Sequence, residues 1–419
     1  MMSRLNQRNI VVVSGHNEEN SVLYLMTKSF RIRNNYTLFQ SIEYSRKHGC
    51  PLKIILVEPY EINPRNILWF HQFTADLIKQ LKVYSNDVSL INRSQLNEER
   101  FKDVHTVFTD KAYLKFDIDL LRQVKTIAYK MDMILIEVET NVFVPITLAS
   151  NKEEYQARTI RPKVHRLLED FSEEVLTDAT LSKGENQAFK ILDVFIEDKL
   201  PYYDQHNDPS LKKTSLLSPF LKYGFISPIS IYHKINHHDP QAESFLEELI
   251  VRRELAYNFV YYNQGYDQFD KMTDEWAYLT MKQHLKDQRN YVYSKDDYIH
   301  FRTHDRYFNA AMKEMIYKGR MHSYMRMYWC KKIIEWSKTY QEAFDIASAL
   351  NNEFFLDGLT PNGYTGVAWC FGKHDRAWFE RDIFGKLRYM NDNGLKRKFD
   401  IETYVSQMNE LIEEDIDVI

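Results

Sequence analysis

The chain has 419 residues, 44% of them hydrophobic and 27% charged, a length and balance that predict two globular domains, each able to bury a core, and exclude a disordered or fibrous protein. A formal net charge of -4 leaves nucleic-acid binding open, because a local basic face decides it rather than the sum. Three cysteines, Cys50, Cys330 and Cys370, form no CxxC pair and no disulfide framework, so a reducing cytoplasm is expected; no apolar run is long enough for a signal core or a membrane span.

Over the first 150 residues short β-branched runs alternate with amphipathic stretches. Strands are expected at Ile10–Ser14, Lys53–Pro59, Thr106–Asp110 and Met133–Glu139, and helices at Asn35–Lys47 and Asn66–Tyr84. Such alternation predicts an α/β domain with a Rossmann-like parallel sheet. No GxGxxG or GxxxxGK[ST] loop accompanies it, so its ligand is unannounced. From 151 to 186 the chain turns polar and reads as a connector carrying one short helix. From 187 to 419 it reads as an all-α domain, with 3.6-residue apolar spacing at Ala188–Lys199, Glu243–Tyr262, Tyr307–Tyr317, Tyr324–Lys338, Gln341–Phe354 and Ile401–Glu414.

Four stretches of the helical half carry residue types suited to chemistry. In TSLLSPFLKYGFISP, the residues Thr214, Ser215, Leu216, Leu217 and Ser218 precede Pro219 where a helix begins, which is either an ordinary cap or an anion site. In FLEELIVRRELAYNFVYYNQGYD, Glu248, Arg252 and Tyr262 share one broad helical face; a plain i,i+4 ion pair also explains the first two. In GRMHSYMRMYWCKKIIEW, Trp329 and Trp336 stand two turns apart, roughly 10 Å along the axis, close enough for an electron to hop between indoles and equally suited to a core. In the glycine-bearing stretch 350–390, Trp369 and Trp378 flank a turn with His374, Asp375 and Arg376, where a His–Asp acid–base pair lacks a nucleophile. An aromatic content of 14% fits either an aromatic-rich core or a site that stacks planar rings.

Together with Tyr202, these stretches resemble the photolyase and cryptochrome superfamily. The wording RMYWCKKIIEW, LDGLTPNGYTGVAW, KHDRAWFER and GLKRKFD is similar to class II cyclobutane pyrimidine dimer (CPD) photolyases, while the N-terminal half matches mainly at RIRNNYTL and ARTIRPKVHRLL. The resemblance implies an antenna-type α/β domain at 1–150 and FAD bound among the helices. It places Tyr202 and Thr214–Ser218 on the diphosphate side, Arg252 near the flavin, and Asn351 and Asp357 at the isoalloxazine and ribityl parts. Glu248 is implied to hydrogen-bond the damaged base, with Trp369 and Trp378 walling the lesion pocket and Trp329 and Trp336 relaying electrons. The implied partner is dimer-containing DNA, held through Arg376, Arg381, Lys396, Arg397 and Lys398, although a solvated charge run explains the last three as well. A monomer without a metal site is expected, and relatives use various antenna chromophores or none.

Departures from the class II pattern are legible too. HDRYFNAA stands where the family commonly has HDPLWNAA, so Phe308 replaces a middle tryptophan of the electron route, and impaired flavin photoreduction is expected unless Tyr307 substitutes. Lys213 stands where glycine commonly precedes the Thr-Ser loop, and Thr360 replaces a usual aspartate before Pro361. A blue-light receptor without repair activity is the alternative. The twenty-one residues after Lys398 are few for the C-terminal extension such receptors often carry.

Overall fold

The computed structural model describes residues 2–411. The six strands β1 (Asn9–Val13), β2 (Val22–Met26), β3 (Leu52–Val57), β4 (Asp87–Ile91), β5 (Thr106–Asp110) and β6 (Ile134–Val138) form one sheet in the order β1-β6-β5-β2-β3-β4. All neighbours pair parallel except β1, which runs antiparallel to β6 with Asn9 opposite Val138. The expected Rossmann-like, parallel-dominated sheet is thus present, with one antiparallel edge strand. Only residues 14–21 separate β1 from β2, too few for the crossover that a parallel return needs. The runs that become β2 and β4 were not anticipated as strands: β2 is a fully buried VLYLM without alternation, and β4 is a half-polar edge strand.

Helices cover both faces of the sheet, as parallel connections require. Tyr36–His48 starts on Asn35, whose side chain accepts the Leu38 amide, and ends on the left-handed Gly49. Pro64–Leu81 turns Trp69, Phe70, Phe73 and Leu77 into a core shared with Phe220, Tyr223 and Phe225 of the helical half. The stretch read as a connector with one short helix holds instead a 15-residue helix, Ala157–Phe171. It buries Ala157, Ile160, Val164, Leu168 and Phe171 at three- and four-residue spacing, so packing outweighs its polar average and Pro162.

Beyond β6 the described regular elements are helical apart from one bridge between Arg381 and Gly385. Ile401–Asn409 forms as expected, while residues 412–414 of that expected helix lie outside the described residues. The halves are stitched by buried polar groups. Arg31, 1% exposed, donates to the Gly224 carbonyl at 3.0 Å and to Asn141 at 2.8 Å. A Cβ at Gly224 would stand 2.2 Å from the Lys28 carbonyl oxygen, so only glycine permits this approach. Glu254 accepts the Phe143 amide at 2.9 Å, and burial raises its pKa to about 7. Among the described residues no helix is long and apolar enough to cross a membrane.

Candidate functional site

The Thr214–Ser218 loop is set by unusual backbone. Lys212 and Leu216 both hold left-handed φ, 54° and 61°, which costs a residue with a side chain of order 1 kcal/mol and persists only where the surroundings impose it. The Ser215 hydroxyl accepts the Leu217 amide at 3.4 Å, and Ser218 opens the helix Ser218–Tyr223 with Pro219 in its first turn. The Thr214 carbonyl accepts from Lys199 Nζ at 3.2 Å. Lys213 donates to the Asp198 carbonyl and stands 4.4 Å from the centre of the half-exposed Tyr202 ring. Burial, then the positive charges of Arg320 and Lys213, hold Lys199 below the ordinary lysine pKa. Three cations thus crowd one loop, an arrangement an anionic ligand would relieve.

Ser218 also ties this loop to Asp357. Burial alone would raise the Asp357 pKa, but Arg326, whose guanidinium nitrogen donates to both its oxygens at 2.8 and 3.0 Å, together with Ser218 and Lys222 holds it below the usual carboxylate value. Arg326 in turn lies 3.9 Å from the centre of the Phe355 ring. Asn351, 4% exposed, sits in the last turn of Tyr340–Phe354 and donates to Asn352 at 3.0 Å. Its carboxamide faces Gly363 of the helix Pro361–Cys370, where an added Cβ would come within 3.0 Å. Three residues on, a Cβ at Gly366 meets nothing within 4 Å, so this helix bares its backbone to open space one turn before Trp369.

Glu248 and Arg252 belong to a wide π-helical turn, Glu247–Arg252, set between the α-helices Pro240–Leu246 and Arg253–Tyr262. Such turns insert one residue and are frequent at functional sites. Arg161 holds Glu247 through two hydrogen bonds of 2.9 and 2.7 Å, whereas Glu248 meets Arg252 only loosely, at 3.9 Å. Arg252 Nε is buried without a hydrogen-bond partner among the described residues. The Glu248 side chain is 58% accessible, yet desolvation raises its pKa, with Arg252 and His206 opposing and Glu247 adding. Both facts hold when a carboxyl faces an opening while protein displaces bulk water on its other sides. Tyr262, expected on the same face, instead donates to the Ser150 carbonyl at 2.6 Å, because the extra residue rotates everything after it.

Arg252 lies 5.9 Å from the Trp369 ring centre, and Arg388 lies 5.8 Å from Trp369 and 4.3 Å from Trp378. Arg376 covers Trp378 at 4.9 Å. Asp375 accepts Arg388 in two bonds of 3.0 and 3.2 Å and the Trp378 indole N–H at 3.3 Å. His374 points away from Asp375: its ring bonds the Tyr155 carbonyl at 2.7 Å, and burial lowers its pKa to about 4. That removes the His–Asp acid–base reading. Arg388 and Phe379 escaped the sequence reading. Phe379, 90% exposed beside Trp378, is the most exposed large apolar side chain among the described residues.

Trp329 and Trp336 are buried on the helix Ser323–Trp336, and Phe308 packs 5.2 Å from Trp336. Tyr307 does not join them: its hydroxyl donates to Glu402 at 2.7 Å. The basic residues divide into two groups. Arg376 and Arg381 border the Trp378 lobe, with Arg381 lying over Tyr389 at 5.0 Å. Lys396, Arg397 and Lys398 end a separate helix, Asp392–Lys398, where Lys396 pairs with Asp392 at 2.9 Å and Lys398 donates to the Tyr324 hydroxyl at 3.1 Å. The described contacts do not join this helix to the tryptophan wall.

Comparison with known proteins gives the family of the chain. The family model described as DNA photolyase matches residues 22–181. A deoxyribodipyrimidine photo-lyase of Methanothermobacter thermautotrophicus is 37% identical, covering 94% of this chain and 95% of its own, and that of Arabidopsis thaliana is 32% identical over 93% and 89%. Among solved structures, a Synechocystis cryptochrome superposes with a TM-score of 0.75 at 12% identity, covering 96% of this chain and 92% of its own. A class III photolyase of Agrobacterium tumefaciens gives 0.67 at 18% identity, over 97% and 90%. With more than a third of its residues shared along nearly its whole length with a named relative, the chain belongs to the DNA photolyase family.

Proposed function

We propose that this protein is a light-driven deoxyribodipyrimidine photolyase of the class II kind, splitting cyclobutane pyrimidine dimers in DNA with FAD held in the helical half. One observation carries the reading: Arg252 of the wide turn lies over Trp369, one turn after the bared backbone of Gly366, and a second, cation-crowded stretch, Thr214–Ser218, is tied through Ser218 to Asp357. Arg252 Nε, which meets Glu247 and Glu248 at 3.7 and 3.9 Å without a hydrogen bond, and the mutual repulsion around Lys199 are needs a flavin dinucleotide fits. Lys199, Lys213 and Arg320 would balance its diphosphate, while Asn351, Asp357 and Arg252 would hold its ring and ribityl parts. When bound in reduced form, FAD supplies an electron on excitation by light.

The chain's own groups do the rest. A dimer is extruded from the duplex at less cost than intact bases, because it already stacks and pairs poorly. Trp369 and Trp378, kept in place by Arg388 and Asp375, offer two aromatic faces to the flipped lesion. The raised pKa of Glu248 keeps more of it protonated, so its O–H can donate to a base carbonyl that gains charge as the dimer ring opens. Arg376 and Arg381 are placed for phosphates, and Phe379 for the stack left open by the lesion. We divide these tasks between an antenna-type unit at 1–150, a connector at 151–186 and the catalytic unit at 187–419, in a cytoplasmic monomer. The class II reading is supported by the wording of the four motifs.

Blue-light illumination of the reduced protein with an ultraviolet-irradiated oligonucleotide tests the proposal: dimer content should fall only in light. Phe308, which interrupts the tryptophan route, is the observation that favours the receptor alternative. Unchanged dimers from a flavin-loaded protein would establish that alternative.

A further inference from the structure

Around Trp336 the structure gathers an aromatic group that the family motifs do not explain. Tyr293 stands 5.5 Å from Trp336, ring centre to ring centre, and its backbone amide donates to the Trp336 carbonyl at 3.2 Å. The phenol oxygen lies 2.8 Å from His304 Nδ1 and accepts the His304 backbone amide at 3.1 Å. With one lone pair of that oxygen taken by the backbone amide, an imidazole that carries its proton on Nε2 accepts the phenolic proton at Nδ1. His304 itself lies 5.1 Å from Trp336, and Tyr291, 47% exposed, stacks on the imidazole at 3.8 Å. Phe308, a ring far harder to oxidise, packs 5.2 Å from Trp336, and the Lys332 ammonium lies 5.5 Å over the Trp336 ring.

A phenol is a poor electron donor while it keeps its proton and a good one when a base takes that proton as the electron leaves. We infer that Tyr293 is the terminal electron donor to oxidised Trp336, releasing its phenolic proton to His304. The step balances. One electron passes from Tyr293 to the Trp336 radical cation, the O–H proton moves to Nδ1 of a neutral imidazole, and the products are neutral tryptophan, a neutral tyrosyl radical and an imidazolium. Under the function proposed above, the oxidant that first draws the electron, through Trp329, is a light-excited oxidised flavin. The Tyr293–His304 pair then traps the charge near solvent, and the loss of the middle tryptophan is offset at the far end of the route.

Pulse radiolysis of the purified full-length protein in the dark, with azide radicals as oxidant, reads this step without involving flavin. Tyrosyl absorption should grow as tryptophanyl absorption decays. Tyr293→Phe should remove the Trp336-linked part of that growth, and His304→Phe, which keeps the stack on Tyr291, should slow it roughly a hundredfold, as loss of a positioned base does. Heavy water should slow the wild-type phase and leave the Tyr293→Phe decay unchanged. Identical traces for wild type and Tyr293→Phe would overturn the inference even if the protein repairs DNA. A normal radiolysis result with no flavin uptake would sink only the proposed function.

Discussion

Arg388 and Asp375 meet through two hydrogen bonds, and the same carboxylate receives the Trp378 indole N–H, so one ion pair fixes a ring of the proposed lesion wall. Lysine cannot reproduce that fork. Arg388→Lys should weaken binding of a dimer-containing duplex by about 1–3 kcal/mol and of undamaged DNA much less, measured by anisotropy titration at fixed salt. Equal losses on both duplexes would make Arg388 a phosphate contact instead.

Glu248 carries a raised pKa, so its protonated fraction falls as pH rises through that value. The charged or titratable groups that set it are Arg252, Glu247 and His206. If the O–H is what serves splitting, the rate per bound dimer should decline toward alkaline pH in the wild type. In Glu248→Gln, a donor at every pH, that decline should be absent. A variant with the wild-type pH profile would remove this role from Glu248.

Burial raises the pKa of Glu254 from the ordinary glutamate value, about 4.3, to about 7. The folded state therefore binds more protons than the unfolded chain between those values, and stability is lost as pH climbs through that window, levelling off above it. Glu254→Gln keeps an acceptor for the Phe143 amide and should flatten the loss, gaining up to roughly 3 kcal/mol at pH 8 relative to pH 5. Urea unfolding at the two pH values measures it; parallel curves would contradict the buried-acid account.

Asp357 shows the opposite sign. Its depressed pKa contributes stability that is complete above the ordinary carboxylate value, about 3.9, and is lost as pH falls through the lower folded one. Asp357→Asn should cost about 2 kcal/mol at neutral pH by stranding Arg326, with the deficit shrinking in acid. A constant deficit down to pH 3 would mean packing, not charge, is what the substitution disturbs.

The helical half was legible because its candidate chemistry is spelled in contiguous words: the Thr-Ser loop, the Glu248–Arg252 spacing and the paired tryptophans are local patterns. What escaped depends on three-dimensional register. β2 reads as an apolar run without alternation because it is buried on both faces, and β1 turned antiparallel through the shortness of the link that follows it. Arg388 looks like any surface arginine until Trp369 and Trp378 close on it, and Tyr293 and His304 sit in a stretch of loop whose meaning comes only from Trp336. The basic run Lys396–Lys398 was grouped with the lesion wall by nearness in sequence, yet its helix packs against Tyr324 and Tyr307.

The extra residue in the Glu247–Arg252 turn lets one rod answer to two masters. Downstream, Arg253 and Glu254 are committed to the Asn141–Phe143 segment of the sheet domain; upstream, Glu248 and Arg252 must look the other way. A regular helix has only one phase to offer, and deleting a single residue here would force a choice between clasping the neighbouring domain and aiming the two charged groups. The turn thus works as a fixed gear offset, through which the seating of one half of the protein determines where the other half's carboxyl and guanidinium point.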